Sequence, residues 1–298
     1  MHPSLPILAL LLNAFVWGVS WWPFRLLYAD GLHPLWATAL MYALALCLLL
    51  AARPGVGRSA RQHPALWLLA LSAGLTNVCF NWAVTVGDVV RVVLLFYLMP
   101  AWSVLLAWRV LGEVPTPLAL LRLALAFGGV VLVVLPPGMP LARLADGLSL
   151  ADLLAVGGGF AFALTNVTLR RLREVPGEAR MAAMFGGGAA MAGLTALLGL
   201  AAGLVAPPPA LAPGWTLVAL GLTGAFLLGN HALQFGATRL AAGTTALVML
   251  TEVVFASASS WLLDAAALQP RTLAGGTLIM LAALLAILPH RQGRRAVA

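Results

Sequence analysis

The chain consists almost entirely of apolar runs, each about as long as a membrane is thick. A helix needs about 20 consecutive apolar residues to cross a hydrocarbon core of roughly 30 Å. Ten such runs follow one another with short polar gaps, so the sequence predicts a polytopic membrane protein. Their approximate bounds are 5–27, 34–52, 65–86, 90–110, 117–135, 150–169, 180–205, 215–235, 243–263 and 272–288.

Composition and periodicity decide which kind of membrane protein this is. Hydrophobic residues make up 62% of the chain and charged residues only 9%, whereas a soluble domain has about 25% charged residues. The runs lack the period-two alternation of barrel strands, and a lipid-embedded backbone must satisfy its own hydrogen bonds. We therefore predict an all-α membrane protein with ten transmembrane helices.

The distribution of arginine predicts the orientation. The net charge is +8, and every basic residue other than histidine is an arginine. With both termini inside the cell, twelve arginines fall inside: Arg53, Arg58, Arg61, Arg109, Arg170, Arg171, Arg173, Arg180, Arg239, Arg291, Arg294 and Arg295. Four fall outside, namely Arg25, Arg91, Arg143 and Arg271, and Arg122 lies within the fifth run. This asymmetry satisfies the positive-inside rule and suggests anionic lipid, not nucleic acid, as the partner of the charge.

The two halves of the chain carry related motifs. The third run ends in AVTVG at 83–87 and the eighth in ALQFG at 232–236, an offset that pairs Asn81 with Asn230. In the following runs, FYLMPAWSVLLAWRVLGE at 96–113 corresponds to VMLTEVVFASASSWLLD at 248–264. Each half then has five spans, and an odd number inverts the second copy relative to the membrane. Residues 1–138 and 139–298 are therefore predicted to be two inverted five-helix repeats around a central cavity, the architecture of secondary transporters.

These motifs also resemble a known family. The Trp-Gly pair at 17–18, the AxxxG ending of the third run and the stretch from Tyr97 to Glu113 resemble the drug/metabolite transporter superfamily of the EamA type, over nearly the whole chain. Tyr97 to Pro100, read as YLMP, resembles its aromatic amino acid exporter branch, the YddG type. The resemblance implies a multi-pass protein of the bacterial inner membrane. It also implies a cavity between spans 1, 3, 4, 6, 8 and 9, with no cofactor and no ATP-binding subunit.

Polar and aromatic residues inside the runs are candidates for the cavity wall. Asn77, Phe80 and Asn81 share one helical face by their i, i+3, i+4 spacing, and Asn230 recurs in the eighth run beside His231. Amides also serve as interhelical hydrogen-bonding groups in membranes, and that alternative stays open.

The first run contributes an aromatic stripe. Trp17, Ser20 and Trp21 fall on one face of that helix, and Tyr97 and Phe160 are further aromatic candidates. An aromatic wall suits a substrate with an apolar or aromatic body, although plain packing would give the same pattern.

Glu252 and Pro100 occupy corresponding places in the two halves. A carboxylate at the bilayer centre costs roughly 2.5–3.5 kcal/mol on insertion scales and so usually faces a cavity. Glu252 would contact a substrate ammonium, carry a proton, or only hydrogen-bond a broken backbone. Pro100 removes a backbone donor and predicts a kink in the fourth run, where it would act as a hinge or only serve packing.

The sequence favours a solute transporter over an enzyme. A membrane-embedded enzyme would need convergent acid–base or metal-binding groups, and no such motif occurs. A carrier of phosphorylated or nucleotide-linked metabolites would need several cationic groups in its cavity, yet the arginines lie mostly at the ends of the runs. The resemblance to the aromatic amino acid exporter branch implies export of amino acids, aromatic and other neutral ones. A carrier of other small metabolites or drugs of the same superfamily is the alternative.

Overall fold

A computed structural model describes residues 4–53, 55–56, 63–86, 92, 95–134, 149–263 and 270–287 of the chain. Several features singled out above lie outside these ranges: the predicted repeat boundary at 138/139, Gly87 and Asp264 at the ends of their motifs, and the arginines from Arg291 onward.

The described part of the chain is helical throughout, which confirms the predicted all-α class. The helices are α1 Ser4–Ala29, α2 Pro34–Ala52, α3 Ala65–Val86, α4 Met99–Leu106, α5 Pro117–Val134, α6 Leu150–Arg171, α7 Gly177–Ala201, α8 Pro213–Ala237, α9 Ala242–Met249, α10 Glu252–Leu262 and α11 Pro270–Ile287. A π-helical turn, Ala107–Leu111, continues directly from α4.

Six of the helices are long and apolar enough to cross a membrane, namely α1, α2, α3, α6, α7 and α8. The other four predicted spans correspond to shorter apolar segments in the described residues: Met99–Leu111, Pro117–Gly129, Ala242–Ala256 and Leu273–Ala282. Within the described residues, helical segments lie at all ten predicted runs, and six of these segments satisfy the length criterion.

The fourth span is interrupted near its start. Tyr97 and Leu98 form a turn, and α4 begins at Met99 with Pro100 in its first turn. Proline suits this place, because the first N–H groups of a helix have no partner within it. At the predicted kink the structure has a two-residue turn between helical residues 95–96 and α4, just before the proline.

The ninth span is interrupted at a corresponding place. Helix α9 ends at Met249, Leu250 and Thr251 form a turn, and α10 begins at Glu252. Leu98 and Leu250, the turn residues of the two breaks, are 152 positions apart, the same offset that separates Pro100 from Glu252. Local bonds satisfy the backbone at the second break, where the N–H of Val253 donates to the carbonyl of Leu250 at 3.1 Å.

A small set of helix pairs makes up most of the bundle. Helix α1 packs on α8 and α10, α6 packs on α3 and α4, α2 and α3 pack on α7, and α5 packs on α11. The side chain of Asn13 in α1 donates to the carbonyl of Gly229 in α8 at 2.8 Å. These contacts bring α1 and α6 against the two interrupted spans.

Glycines allow both interrupted spans to lie very close to their neighbours. A Cβ on Gly18 of α1 would stand 2.7 Å from the carbonyl oxygen of Glu252, and one on Gly159 of α6 would stand 2.5 Å from that of Phe96. No side chain fits at these distances, so each break is packed backbone against backbone.

Candidate functional site

A cavity of about 60 Å³ lies at the level of the two breaks. By this measure one water needs about 10–15 Å³, so the cavity holds several water-sized groups. The residues that line it come from α1, α2, α3, α6, α7, α8, α9, α10 and the segment before α4. They are Trp17, Tyr42, Ala73, Thr76, Asn77, Phe80, Phe96, Phe162, Thr165, Met184, Asn230, Leu233, Met249 and Glu252.

Aromatic rings form two groups around the cavity. In one group, Phe226 lies behind Trp17 and Tyr42, with ring centroids 4.7 and 6.0 Å away. In the other, Phe96 contacts Phe80 at 4.7 Å and Phe162 at 6.1 Å. Aromatic pairs at such separations stabilise one another, so these walls are both apolar and rigid.

Glu252 is the charged residue among the side chains that line the cavity. It is the first residue of α10, where the helix dipole favours a negative group, and it is only partly buried. Within the described residues no hydrogen bond or ion pair to its carboxylate is found. The carboxylate is therefore available to a group that enters the cavity.

Two amides line the cavity in different bonding states. Asn77 accepts from the Tyr42 hydroxyl at 3.3 Å and donates to the carbonyl of Ala73 at 2.9 Å, so most of its capacity is used. The carbonyl oxygen of Asn230 accepts from Gln234 at 2.7 Å, and its amino group faces only the sulfur of Met184 at 3.7 Å. Sulfur is a weak acceptor, which leaves Asn230 with donor capacity.

Five of the residues singled out in the sequence meet around this cavity: Trp17, Asn77, Phe80, Asn230 and Glu252. They come from both halves of the chain, at positions as far apart as 17 and 252. Their role as substrate contacts stays a prediction.

Four further predicted residues make contacts elsewhere. The Ser20 hydroxyl donates to the carbonyl of Trp17 at 2.7 Å, and the Trp21 indole donates to Ser259 of α10 at 2.9 Å. The Asn81 amide donates to Thr38 of α2 at 2.7 Å. Tyr97 is buried beside Phe96, with ring centroids 6.2 Å apart. These residues surround the cavity without lining it.

The other two predicted residues lie away from the cavity. His231 is exposed and does not line the cavity. Phe160 is 40% exposed and lies against Trp102 at 5.9 Å. The physical reason in both cases is helical geometry, because each residue is rotated by about 100° from its neighbour. With Asn230 facing inward, His231 must face away.

The sequence interpretation missed several lining residues, including Tyr42, Phe96, Phe162, Thr165 and Met184. Tyr42 was the residue with the clearest signal, because it carries a hydroxyl within an apolar run. Helices α2 and α7 also contribute to the wall, through Tyr42 and Met184, although the predicted cavity used only spans 1, 3, 4, 6, 8 and 9.

Away from the cavity, charged groups join the ends of three helical segments. Arg170 at the end of α6 lies 3.6 Å from the carboxylate of Glu113, which follows the π-helical turn. The same side chain donates to the carbonyl of Thr238 after α8 at 2.8 Å. This cluster links the end of the fourth span to the ends of the sixth and eighth.

One comparison concerns the first part of the chain. Residues 4–135 match the model of the EamA-like transporter family. The crystal structure of another protein superposes with a TM-score of 0.74, covering 95% of this chain and 96% of that chain at 19% sequence identity.

The family match extends over residues 4–135, and the structural match shows a shared helical fold over 95% of the chain. At 19% identity the solved structure shows the fold alone. A search of curated proteins gave no match. The finer resemblance to the aromatic amino acid exporter branch has no support from these comparisons.

Proposed function

We propose that the protein is a secondary transporter that exports amino acids, aromatic and other neutral ones, across the bacterial inner membrane. The observation that carries this proposal is the cavity itself, in which aromatic walls surround a carboxylate, Glu252, and an amide with free donor capacity, Asn230. An aromatic side chain suits the walls, and an ammonium and a carboxylate suit the two polar groups.

The charge of the lining argues against phosphorylated substrates. Phosphate recognition uses arginine or lysine, whereas the fourteen lining residues include one carboxylate and no cation. A nucleotide-linked or phosphorylated metabolite would meet repulsion from Glu252.

The two-repeat architecture is part of the proposal, and the packing supports it. If span 1 corresponds to span 6, 3 to 8 and 4 to 9, the pairing of α1 with α8 is equivalent to that of α6 with α3. In the same way, the pairing of α1 with α10 is equivalent to that of α6 with α4. The pairs α2–α7 and α5–α11 each map onto themselves, as a two-fold relation between the repeats requires.

Alternating access would then use the two interrupted spans. The turns at Leu98 and Leu250 would let the segments on either side of them tilt separately. Pro100 would keep the first break open, since it has no N–H to bond the carbonyl of Phe96. Substrate bound at the level of the breaks would pass from one side of the membrane to the other, with both termini cytoplasmic and no ATP-binding subunit.

A carrier of organic amines is the second candidate. Glu252 has no cationic partner among the described residues, and a carboxylate between aromatic rings suits a protonated amine with an apolar body. This alternative corresponds to the drug carriers of the superfamily.

The test is an uptake screen with the purified protein in liposomes. Labelled phenylalanine, leucine and alanine, an aromatic amine and a nucleotide sugar would be compared with protein-free liposomes. We expect phenylalanine and leucine to be transported and the nucleotide sugar to be excluded. Transport of the nucleotide sugar in preference to the amino acids would overturn the proposal.

A further inference from the structure

A chain of buried hydrogen bonds runs from a cation to the cavity wall. Arg180 of α7 is 6% exposed, and its Nε donates to the side-chain oxygen of Gln234 at 3.2 Å. Gln234 is 2% exposed, and its amino group donates to the side-chain oxygen of Asn230 at 2.7 Å. Asn230 is the member of this chain that lines the cavity.

The chemistry of the first member determines the orientation of the other two. The oxygen and nitrogen of a side-chain amide have nearly the same size and geometry, so the hydrogen-bond partners decide which atom lies on which side. A guanidinium only donates, and therefore Gln234 must turn its oxygen toward Arg180. Its amino group is then the atom that faces Asn230, and Asn230 must turn its own oxygen toward Gln234.

The guanidinium of Arg180, which sets these orientations, is held by a second hydrogen bond. Arg180 also donates through Nη1 to the carbonyl of Leu172 at 2.9 Å, which keeps the guanidinium in place beside Gln234. Rotation of the Gln234 amide would place its amino group against a buried cation and leave two donors facing each other. Buried unpaired donors are costly, so this series of hydrogen bonds has one favourable arrangement of the two amides.

These orientations determine which group Asn230 presents to the cavity. With its oxygen engaged, Asn230 offers its amino group to the cavity, where the neighbouring acceptor is the weak sulfur of Met184 at 3.7 Å. Glu252 presents an acceptor elsewhere on the same wall. We propose that Gln234 is a positioning residue that holds Asn230 as the hydrogen-bond donor for the carboxylate of the substrate, while Glu252 receives its ammonium. This inference rests on the proposed transport of amino acids and adds which residue recognises which end of the substrate.

The inference predicts a separation between substrates that have and lack a carboxylate. Gln234→Glu supplies two acceptor oxygens, one for Arg180 and one for the amino group of Asn230. Asn230 then turns its oxygen to the cavity, where it repels a carboxylate. We expect binding of phenylalanine to weaken at least about tenfold, as the loss of a hydrogen bond to a charged group implies. Binding of phenethylamine, which lacks the carboxylate, should change less than about twofold.

The experiment measures binding of both compounds to the purified full-length protein, and transport of both in liposomes. Asn230→Asp is the second variant and does not depend on how residue 234 behaves. It places a carboxylate oxygen at the cavity. Binding of phenylalanine should therefore weaken, while binding of phenethylamine should stay the same or become stronger. Thr223→Val is the control, because this buried hydroxyl of the same helix donates only to the carbonyl of Ala219 at 2.8 Å.

The outcomes separate this inference from the proposed function. Suppose that the wild-type protein binds phenylalanine, and that both variants weaken binding of the two compounds equally or leave both unchanged. The role of Gln234 is then overturned, and the proposed amino acid transport stands. If the wild-type protein binds phenethylamine but not phenylalanine, or binds neither, the proposed function and this inference both fail. Selective loss of phenylalanine binding in Gln234→Glu, with Thr223→Val unchanged, supports this inference. Selective loss in Asn230→Asp alone overturns the role of Gln234.

Discussion

Gly18 of α1 lies against the backbone of Glu252, so closely that a Cβ at position 18 would stand 2.7 Å from both the Glu252 carbonyl oxygen and the Phe255 Cβ. The pair joins the first span to the break in the ninth. It also fixes the position of the carboxylate that follows that break.

Gly18→Ala should therefore displace the start of α10. Overpacking of this kind costs typically 1–3 kcal/mol, so we expect a lower thermal unfolding temperature and weaker transport. The control is Gly224→Ala, because an added Cβ at that glycine meets nothing within 4 Å. Equal stability and transport of the two variants would show that α1 and α10 are not packed as closely as described.

Glu252→Gln separates the three roles open to this carboxylate, since it keeps the shape and removes the charge. If Glu252 binds the substrate ammonium, transport of every amino acid should weaken at all pH values. If it carries a coupled proton, uptake should lose its response to an imposed pH gradient while downhill exchange survives. Both are measured in liposomes beside Glu174→Gln, a change at an exposed carboxylate. Normal transport with a normal pH response would leave Glu252 a structural role only.

Trp17→Ala should reduce transport of aromatic substrates more than that of small ones. The indole lines the cavity and contacts the tilted ring of Phe226 at 4.7 Å, and such a contact contributes about 0.5–1.5 kcal/mol beyond area burial. Competition by phenylalanine and by alanine is the measurement, with Trp67→Ala as the control because Trp67 is 74% exposed. An equal effect on both substrates would remove Trp17 from the recognition of side chains.

Pro100→Ala should slow transport without preventing folding. Alanine provides an N–H that is able to bond the carbonyl of Phe96, so a continuous helix would replace the turn at Tyr97–Leu98. Pro213→Ala, at the first turn of α8, is the matched control because the chain before it is a loop. Flux assays and amide hydrogen exchange over residues 95–100 test the change. Wild-type flux in a well-folded Pro100→Ala protein would reduce Pro100 to a packing residue.

His33 gives the protein a pH-dependent helix start. Its Nδ1 accepts from the N–H of Leu35 at 3.2 Å at the beginning of α2, and burial lowers the pKa of the imidazole below its ordinary value of 6.5. A lowered pKa means that the unfolded chain binds the proton more tightly. Stability is therefore full above pH 6.5 and falls as the pH drops below it.

The measurement is thermal unfolding of the wild type and of His33→Asn between pH 5 and 8. Asparagine is a good cap that does not titrate, so the stability of the variant should depend less on pH. The expected difference at the acidic end is about 1 kcal/mol, the usual contribution of a helix cap. Parallel pH profiles would show that His33 does not titrate in this range.

Much of the architecture was predictable from the sequence, for reasons of solvation. A backbone in lipid has to bond to itself, so the apolar runs were expected to form helices, whatever their neighbours. Pro100 predicted an interruption of the fourth span for an equally local reason, since it has no N–H to donate. Asn230 and Glu252 were recognised because polar groups are costly in an apolar run.

Other features depended on how the helices pack. The break before Glu252 contains neither proline nor glycine, so no local signal marks it, and it became apparent only where α10 meets Gly18. His231 and Phe160 had suitable chemistry but the wrong rotation about their helix axes, which the contacts between helices decide.

The sequence by itself determined that the chain is a bundle of membrane helices with a few polar groups inside it, because the cost of exposing backbone and charge to lipid acts residue by residue. The tertiary structure alone decided which of those groups meet. Trp17, Tyr42, Asn230 and Glu252 lie on four helices, and the orientation of the Asn230 amide depends on Arg180, fifty positions earlier. A hydrogen bond between distant residues forms only when packing has placed a donor opposite an acceptor, and that information is spread over every helix in the bundle.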